Sequence, residues 1–343
     1  MFSVFRIIFI SLLIFAHNAV SIDFVFASAN SRPLRPLNNR ITIDPGPMLL
    51  NDISDEPDIL FDTSSLIVPF TRAGNLILVQ AKADTLEGNF ILDTGAPKLV
   101  LNATYFRDYQ PVNDQAFNDQ SGGVTGSVRD QGIIRINTFS IGPFKYYQTD
   151  ADRINLGHIE DSKGVKILGL LGMQLFRRFE MIIDYEEGLL YLHRISKKEG
   201  STYQNTMLND ASLYNTFSIT FMDDKVLTYI DVAGKKLRFI IDTGAEANVL
   251  DSRLPDKVFE NITITKRATL AGAGNTKIDA VYGNMRNMKM GQLALDSLPV
   301  LVTNLESMCK SYEQCLDGML GFDFLSMHKI GFNFVTRRMY IWK

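Results

Sequence analysis

Residues 90–96 read Phe-Ile-Leu-Asp-Thr-Gly-Ala, and residues 239–245 read Phe-Ile-Ile-Asp-Thr-Gly-Ala, 149 positions further along the chain. In both stretches an apolar run, typical of a buried strand, stops at an aspartate and continues into Thr-Gly, which is typical of a tight turn. An aspartate at the end of a buried strand is costly unless its carboxylate is hydrogen-bonded or shared with another charge. One Asp-Thr-Gly would be a weak signal, because most such tripeptides lie in ordinary turns. Its recurrence decides the fold.

Two further pairs of segments repeat at the same offset of 149 residues. Gly-Leu-Leu-Gly at 169–172 corresponds to Gly-Met-Leu-Gly at 318–321, and residues 182–192 correspond to residues 331–341. Three separated matches in one register predict an internal duplication, and the period is too long for a solenoid repeat. The chain is therefore predicted to contain two homologous lobes.

The lobes are predicted to occupy residues 63–200 and 201–343, after two segments of different character. Residues 1–29 combine a positive n-region, a ten-residue apolar run and a small Ala-Ser-Ala cleavage pattern, which predict a secretory signal peptide. An uncleaved signal anchor is the alternative, although the run is shorter than the roughly 20 residues of a spanning helix. Residues 30–62 hold five of the eleven prolines and are predicted to form a tether, a prosegment or an extended surface arm.

Composition excludes several classes of function. The formal net charge of −3 gives no basic surface for nucleic acid, and the four His are scattered without ligand spacing, which argues against a metalloenzyme. No cofactor is predicted. Only two cysteines are present, Cys309 and Cys315, with five residues between them. In a secreted protein this pair favours a disulfide that closes a small loop, and two free buried thiols are the alternative.

The secondary-structure signals indicate an all-β protein with few short helices. Segments 76–83 and 226–232 are apolar and partly alternating, as expected of strands, and long amphipathic helical patterns are absent. A glycine-rich hairpin signal follows the Asp-Thr-Gly stretch in each lobe. Its glycines are Gly122, Gly123 and Gly126 in the first lobe and Gly272 and Gly274 in the second.

The paired aspartates predict the chemistry. Packing two homologous lobes about a pseudo-twofold axis brings Asp93 and Asp242 face to face. Two carboxylates at hydrogen-bond distance cannot both ionise, so they share one proton. One then acts as a general base toward a bound water and the other as a general acid toward a carbonyl oxygen. This pair hydrolyses an amide without a metal or a covalent intermediate.

The paired motifs resemble those of aspartic proteases. In both lobes the second glycine of the Gly-hydrophobic-hydrophobic-Gly segment follows the aspartate by 79 residues. The sequence is most similar to bacterial retropepsin-like proteases with two fused lobes, which implies two retropepsin-like β-barrels. The resemblance implies that the hairpins at 121–128 and 270–277 are flaps that close over an extended peptide. It further implies that Asp93 and Asp242 form a catalytic dyad. Thr94 and Thr243 would then bond across the lobes, and the backbone amides of Gly95 and Gly244 would bind the dyad.

The residues directly after the two Asp-Thr-Gly motifs lead to two further predictions. Ala96 and Ala245 follow the Asp-Thr-Gly motifs where pepsin-like enzymes usually have a hydroxyl residue. A missing hydroxyl donor weakens stabilisation of the ionised carboxylate, so activity is predicted at less acidic pH than for pepsin. Pro97 and Glu246 differ directly after the motifs, which predicts that the two halves of the cleft differ in subsite preference.

The sequence thus predicts a secreted or periplasmic, monomeric aspartic endopeptidase acting on peptides or proteins, with no stable membrane insertion after signal cleavage. The alternative is a catalytically inactive peptide-binding module on the same scaffold, although both aspartates and both threonines are intact. A two-carboxylate glycosidase is a third reading. The single tryptophan, Trp342, gives little support for the aromatic cleft that sugars usually require.

Overall fold

The computed structural model of the 343-residue chain describes residues 15–16, 58–60, 64–112, 120–123, 126–129, 132–222, 224–271, 277–306, 308–309 and 315–343. The predicted signal peptide and the predicted proline-rich segment therefore lie outside the described residues, except for 15–16 and 58–60. The role of the proline-rich segment stays a prediction. Its residues 58–60 form a short strand.

Strands make up most of the described chain. The strands up to the end of the first repeat are β1 (Phe15–Ala16), β2 (Asp58–Leu60), β3 (Ser65–Ala73), β4 (Leu76–Ala83), β5 (Leu86–Leu92), β6 (Val100–Asn102), β7 (Gln120–Gly123), β8 (Gly126–Arg129), β9 (Ile133–Ile141), β10 (Phe144–Ile154), β11 (Gly169–Leu171), β12 (Phe179–Asp184) and β13 (Leu189–Arg194). Those of the second repeat are β14 (Tyr214–Ser218), β15 (Thr220–Met222), β16 (Lys225–Val232), β17 (Lys235–Ile241), β18 (Val249–Asp251), β19 (Ile262–Ala271), β20 (Lys277–Met285), β21 (Met288–Met290), β22 (Leu293–Leu295), β23 (Leu298–Thr303), β24 (Gly318–Leu320), β25 (Ile330–Asn333) and β26 (Arg338–Trp342).

Helices in the described residues are few and short. They include the α-helices α1 (Gly157–Lys163), α2 (Asp256–Phe259) and α3 (Phe322–Leu325). Single 3₁₀ turns span Met173–Leu175, Gly200–Thr202, Thr206–Leu208 and Ala211–Leu213. The predicted all-β class with few short helices is confirmed.

Both repeats build the same barrel. In the first, β4, β5, β11, β6, β10 and β9 pair in this order, and β9 returns to β4 and closes the barrel. β11 runs parallel to β5 and antiparallel to β6. The strand β6 in turn runs parallel to β10. In the second, β17, β24, β18 and β23 reproduce this pattern, and β21 returns to β16 as β9 does to β4. The predicted pair of homologous barrel lobes is therefore confirmed.

A third layer joins the lobes. The strands β14, β26, β25, β12, β13 and β3 form a continuous sheet, in which β12 of the first lobe pairs antiparallel with β25 of the second. Within that pair Ile182 lies opposite Gly331, and these two residues are equivalents at the offset of 149. An antiparallel pair of equivalent residues marks the pseudo-twofold axis, which passes between them.

Polar pairs flank this junction at both ends. Lys329 Nζ lies 2.6 Å from Asp184 Oδ2, and Asn333 Nδ2 donates to Glu180 Oε2 over 3.0 Å. Asn205, from the connection between the lobes, donates to the other oxygen of Glu180 over 2.8 Å. Burial raises the pKa of Glu180, against the opposing effect of these two amide donors. The connection between the lobes is thus bonded to the sheet beneath it.

The core explains why the strands before the aspartates are apolar without alternation. Phe90 and Leu92 point into a large core that extends through both lobes, whereas Ile91 points into a second core beside α1. All three side chains are fully buried. A strand packed on both faces reads as a continuous apolar run, because neither face meets water. In the second lobe Phe239 and Ile240 divide between two cores in the same way.

Candidate active site

Each Asp-Thr-Gly loop begins where a central barrel strand ends. β5 and β17 end directly before Asp93 and Asp242. The backbone N–H of Asp93 donates to Leu171 O over 3.1 Å, and that of Asp242 donates to Leu320 O over 2.9 Å. The neighbouring parallel strands β11 and β24 therefore fix the backbone position of both aspartates.

The Gly-hydrophobic-hydrophobic-Gly segments lie directly behind the two loops. A Cβ atom on Gly172 would lie 1.9 Å from the carbonyl oxygen of Lys98, and one on Gly321 would lie 2.5 Å from that of Ala245. Both distances are far below van der Waals contact, so only glycine allows the backbones to approach this closely. The spacing of 79 residues between aspartate and glycine in both lobes thus reflects one packing requirement.

The two threonines bond the loops to each other. The backbone N–H of Thr94 donates to Thr243 Oγ1 over 2.9 Å, and that of Thr243 donates to Thr94 Oγ1 over 3.0 Å. Each hydroxyl then donates to a carbonyl of the opposite lobe, Thr94 to Ile241 O and Thr243 to Leu92 O, both over 2.9 Å. These four buried bonds are reciprocal, as the pseudo-twofold axis requires.

Replacing Thr94 by Val is expected to lower the free energy of unfolding by about 3 kcal/mol, since the change leaves the buried N–H of Thr243 and the buried C=O of Ile241 without their partner. Denaturant unfolding measures this loss. Thr94→Ser is the matched control, because it keeps the hydroxyl and is expected to cost much less. Equal losses for Val and Ser would show that the hydroxyl does not carry the contact.

Backbone amides bind both carboxylates. Gly95 N and Ala96 N donate to Asp93 Oδ1, each over 3.0 Å. Gly244 N donates to Asp242 Oδ1 over 2.8 Å. A carboxylate that accepts such bonds is favoured in its ionised form. The geometry matches the arrangement that the resemblance implies for Gly95 and Gly244.

The fold brings the two aspartates together. A Cβ atom on Gly244 would lie 2.7 Å from Asp93 Cγ, so the carboxyl group of Asp93 packs directly against the loop that holds Asp242. Both aspartates are fully buried. Two carboxyl groups in one interface can share a proton and thereby serve together as acid and base.

Each lobe also reaches across to the loop of the other. The turn between β3 and β4 places Asn75 at Glu246, where Asn75 N donates to Glu246 Oε2 over 3.1 Å and Asn75 Nδ2 donates to Glu246 O over 3.0 Å. Lys163, at the end of α1, lies 2.5 Å from Glu246 Oε1, and both side chains are mostly buried. Sequence reasoning noted Glu246 as an asymmetry but did not identify its partners.

The corresponding turn of the second lobe contacts the first. Asp224 forms an ion pair with Arg177. Its neighbour Lys225 is buried and donates from Nζ to Gly95 O over 2.7 Å. Sequence reasoning missed Lys225. Its only signal was a lysine at the beginning of a predominantly apolar strand, a position that more often places the ammonium in solvent.

Two titratable groups behind the second loop have shifted pKa values. Burial raises the pKa of Asp323, at the start of α3, and a backbone hydrogen bond at Asn248 opposes this. Burial likewise raises the pKa of the Tyr282 phenol, and the nearby negative charges of Asp323 and Glu246 add to the effect. Burial is thus the main cause of both shifts.

Both predicted flap regions contain hairpins. β7 and β8 pair antiparallel, with Gly122 opposite Ser127 and Gly123 opposite Gly126. β19 and β20 pair up to Ala271 opposite Lys277. The other two flap candidates, Gly272 and Gly274, lie outside the described residues. That these hairpins close over a substrate stays a prediction.

Cys309 and Cys315 form a disulfide, as the sequence predicted. Arg253 donates from Nη2 to Cys309 Sγ over 2.8 Å. It also forms a two-point ion pair with Asp251, the last residue of β18. The disulfide-bonded loop is thus attached to a strand of the barrel core.

Within the part of the chain that the structure describes, no group of three or more His, Cys, Asp or Glu is arranged to hold a metal ion. Among the same residues, no helix is long and apolar enough to cross a membrane.

Two homologous barrels whose Asp-Thr-Gly loops meet across a pseudo-twofold axis define the aspartic protease class of fold. Consistent with this, the aspartyl protease family model matches the chain twice, over residues 79–175 and 228–324. The chain belongs to the aspartyl protease family.

Comparison with solved structures matched two seed proteins, among others. The γ-conglutin from lupine seeds, a basic 7S globulin, aligns with 12% identity and a TM-score of 0.45, covering 81% of this chain and 95% of its own. The basic 7S globulin from soybean aligns with 11% identity and a TM-score of 0.43, covering 81% of this chain and 94% of its own. A search among curated proteins found no significant match.

Proposed function

We propose that this protein is a secreted aspartic endopeptidase that cleaves peptide bonds with Asp93, Asp242 and one activated water. The observation that carries the proposal is the reciprocal bonding of the two Asp-Thr-Gly loops, which holds both carboxyl groups in one buried interface. Both aspartates and both threonines are intact, whereas a scaffold that only binds peptides has no need of a proton-sharing pair.

The proposed reaction begins with one ionised and one protonated aspartate around a bound water. The ionised carboxylate takes a proton from the water while the water oxygen attacks the carbonyl carbon of the scissile bond. The protonated carboxyl gives its proton to the carbonyl oxygen, which forms a tetrahedral diol. Collapse of the diol breaks the C–N bond, and the leaving amine takes the proton that the first carboxylate had received from water. One diol hydroxyl gives its proton to the other carboxylate as it becomes the product carbonyl, so the dyad again holds one shared proton.

The proposed substrate is an extended peptide or a protein segment. The proposal expects the substrate backbone to pair with strand edges in a cleft between the two β-barrels, under the predicted flaps, with side-chain pockets supplying specificity. The mechanism uses no metal or other cofactor, and a net charge of −3 does not favour nucleic acid. Since one chain supplies both halves of the site, the enzyme is proposed to act as a monomer.

Export from the cytoplasm is part of the proposal. The predicted signal peptide at 1–29 supports it, and so does the Cys309–Cys315 disulfide, because disulfides persist in oxidising compartments. The proposal covers either release into the medium or retention in the periplasm.

The test is digestion of a peptide library by the secreted full-length product between about pH 3 and 7, beside Asp242→Asn prepared identically. We expect cleavage by the wild type, with an optimum above about pH 3, and none by the variant. Tight binding of a statine-type transition-state mimic without turnover of any peptide would instead favour the inactive peptide-binding module. Equal cleavage by the variant would identify a contaminating protease and contradict the proposal.

A further inference from the structure

Lys225 is a buried cation at the proposed active site. Only 3% of its surface is exposed, and its Nζ donates to Gly95 O over 2.7 Å. An ammonium group is very costly to bury unless negative charge lies nearby. Gly95 belongs to the loop of Asp93, and a dyad that shares one proton carries one negative charge. Negative charge on the dyad would therefore favour burial of the Lys225 ammonium in this loop.

A single peptide group links Lys225 to the Asp93 carboxylate. The carbonyl of the Gly95–Ala96 peptide accepts the bond from Lys225. The N–H of the same peptide, Ala96 N, donates to Asp93 Oδ1 over 3.0 Å. Hydrogen bonds in a chain polarise one another, so a cation at the carbonyl end strengthens the donor at the other end. Two hydrogen bonds and one peptide plane thus connect Lys225 to Asp93.

The second lobe does not repeat this arrangement. At the offset of 149 residues, the equivalent of Lys225 is Leu76, whose side chain is fully buried in the core beside α1. A leucine has no side-chain donor, so the loop of Asp242 has no counterpart of the bond that Lys225 gives to the loop of Asp93. Lys225 breaks the pseudo-symmetry of the pair at the point where its two carboxyl groups must act differently.

Other charged groups surround the loops. They are the Arg177–Asp224 ion pair beside Lys225, the Lys163–Glu246 ion pair at the second loop, and Asp323 behind that loop. Each of the two ion pairs joins opposite charges, and burial raises the pKa of Asp323. Lys225 differs from these groups because it donates directly to the loop of Asp93.

We propose that Lys225 is a positioning residue that holds the Asp93 loop and favours the ionised form of Asp93, so that Asp242 carries the shared proton. This inference rests on the proposed function, since the roles it assigns are those of base and acid in peptide hydrolysis. Asp93 then takes the proton from water, and Asp242 protonates the carbonyl oxygen.

The test compares Lys225→Met, Lys225→Gln and Lys225→Arg with the wild type in two measurements. The first is the acid limb of kcat/KM against pH, and the second is titration of ¹³C-labelled aspartate carboxyls by NMR, with Asp93→Asn used to assign the signal. Met and Gln are both expected to raise the lower apparent pKa of the dyad by about one unit. Arg is expected to retain the wild-type value.

Lys236→Met is the matched control, because Lys236 is an exposed lysine of the same lobe that lies over the Tyr229 ring. It is expected to leave both titrations unchanged. A loss of stability in Lys225→Met without any shift in the dyad would indicate a purely structural lysine and overturn the inference. A Gln variant that titrates like the wild type would also overturn it, since Gln keeps a donor and removes the charge. If the Lys225→Met variant fails to fold, the comparison of Lys225→Gln with Lys225→Arg still tests the role of the charge.

The two proposals fail in different ways. If the wild type cleaves no peptide, the proposed function is wrong, while the NMR titration still measures whether Lys225 favours ionised Asp93. If the wild type cleaves peptides and the variants titrate unchanged, the proposed function stands and the role of Lys225 is wrong.

Discussion

Asp93→Asn and Asp242→Asn are each expected to lower kcat/KM by about 1,000-fold or more, because each removes one half of the acid–base pair. Asparagine matches the size of aspartate and keeps an oxygen that can accept the bonds from Gly95 N and Gly244 N. The free energy of unfolding should therefore change little. Hydrolysis of a cleaved library peptide, beside denaturant unfolding of the same samples, measures both effects.

The double variant separates one shared site from two independent ones. If Asp93 and Asp242 act as a unit, replacing both is expected to cost about as much as replacing either, since residues that act together are strongly non-additive. If the lobes carried independent sites, each single variant would keep about half of the activity. Substantial activity in either single variant would contradict a shared dyad.

Gly172→Ala is expected to lower the free energy of unfolding by about 3 kcal/mol or more, at the upper end of the usual cost of overpacking. A Cβ atom at this position would lie 1.9 Å from Lys98 O and 2.4 Å from Lys98 C. Both atoms belong to the backbone, so no side-chain rotation relieves the clash. The loop of Asp93 or the strand β11 must move. Denaturant unfolding measures the loss, and the same displacement should lower peptide cleavage.

Gly157→Ala is the matched control for this prediction. A Cβ atom on Gly157, the first residue of α1, would meet only the side-chain oxygen of Asn155 at 3.1 Å, and a small shift of this oxygen relieves the contact while keeping its bond from Gly157 N. Its cost is expected to be small, since alanine also favours a helix over glycine. Equal stability of Gly172→Ala and the wild type would show that the glycine motif does not set the separation of the two segments.

The duplicated motifs made the fold and the aspartate pair predictable. Asp93 and Asp242 stand at equivalent positions of one repeat, and homologous segments build equivalent structures. The structure shows how closely the repeat is kept, since Ile182 and Gly331, equivalents in sequence, lie opposite each other across the lobes. The repeat was detectable in the sequence because both copies must satisfy the same packing requirements in the structure.

The residues that differ between the copies were not predictable in the same way. Lys225 and Lys163 read as ordinary lysines, because a local pattern cannot distinguish a buried ammonium from a solvated one. Their partners, Gly95 and Glu246, are distant in the chain and belong to the opposite lobe. Only the packing of the lobes brings each lysine to its partner.

The sequence by itself determined the all-β class, the two lobes and the pair of aspartates, since these depend on local apolar runs, turns and their repetition. The tertiary structure decided how the halves meet: the reciprocal threonine bonds, the backbone contact at Gly172, and the placement of Lys225 against the loop of Asp93. The physical reason is that a duplicated sequence specifies a symmetric scaffold. The charges that distinguish its two aspartates act only at the short distances that the packed lobes create.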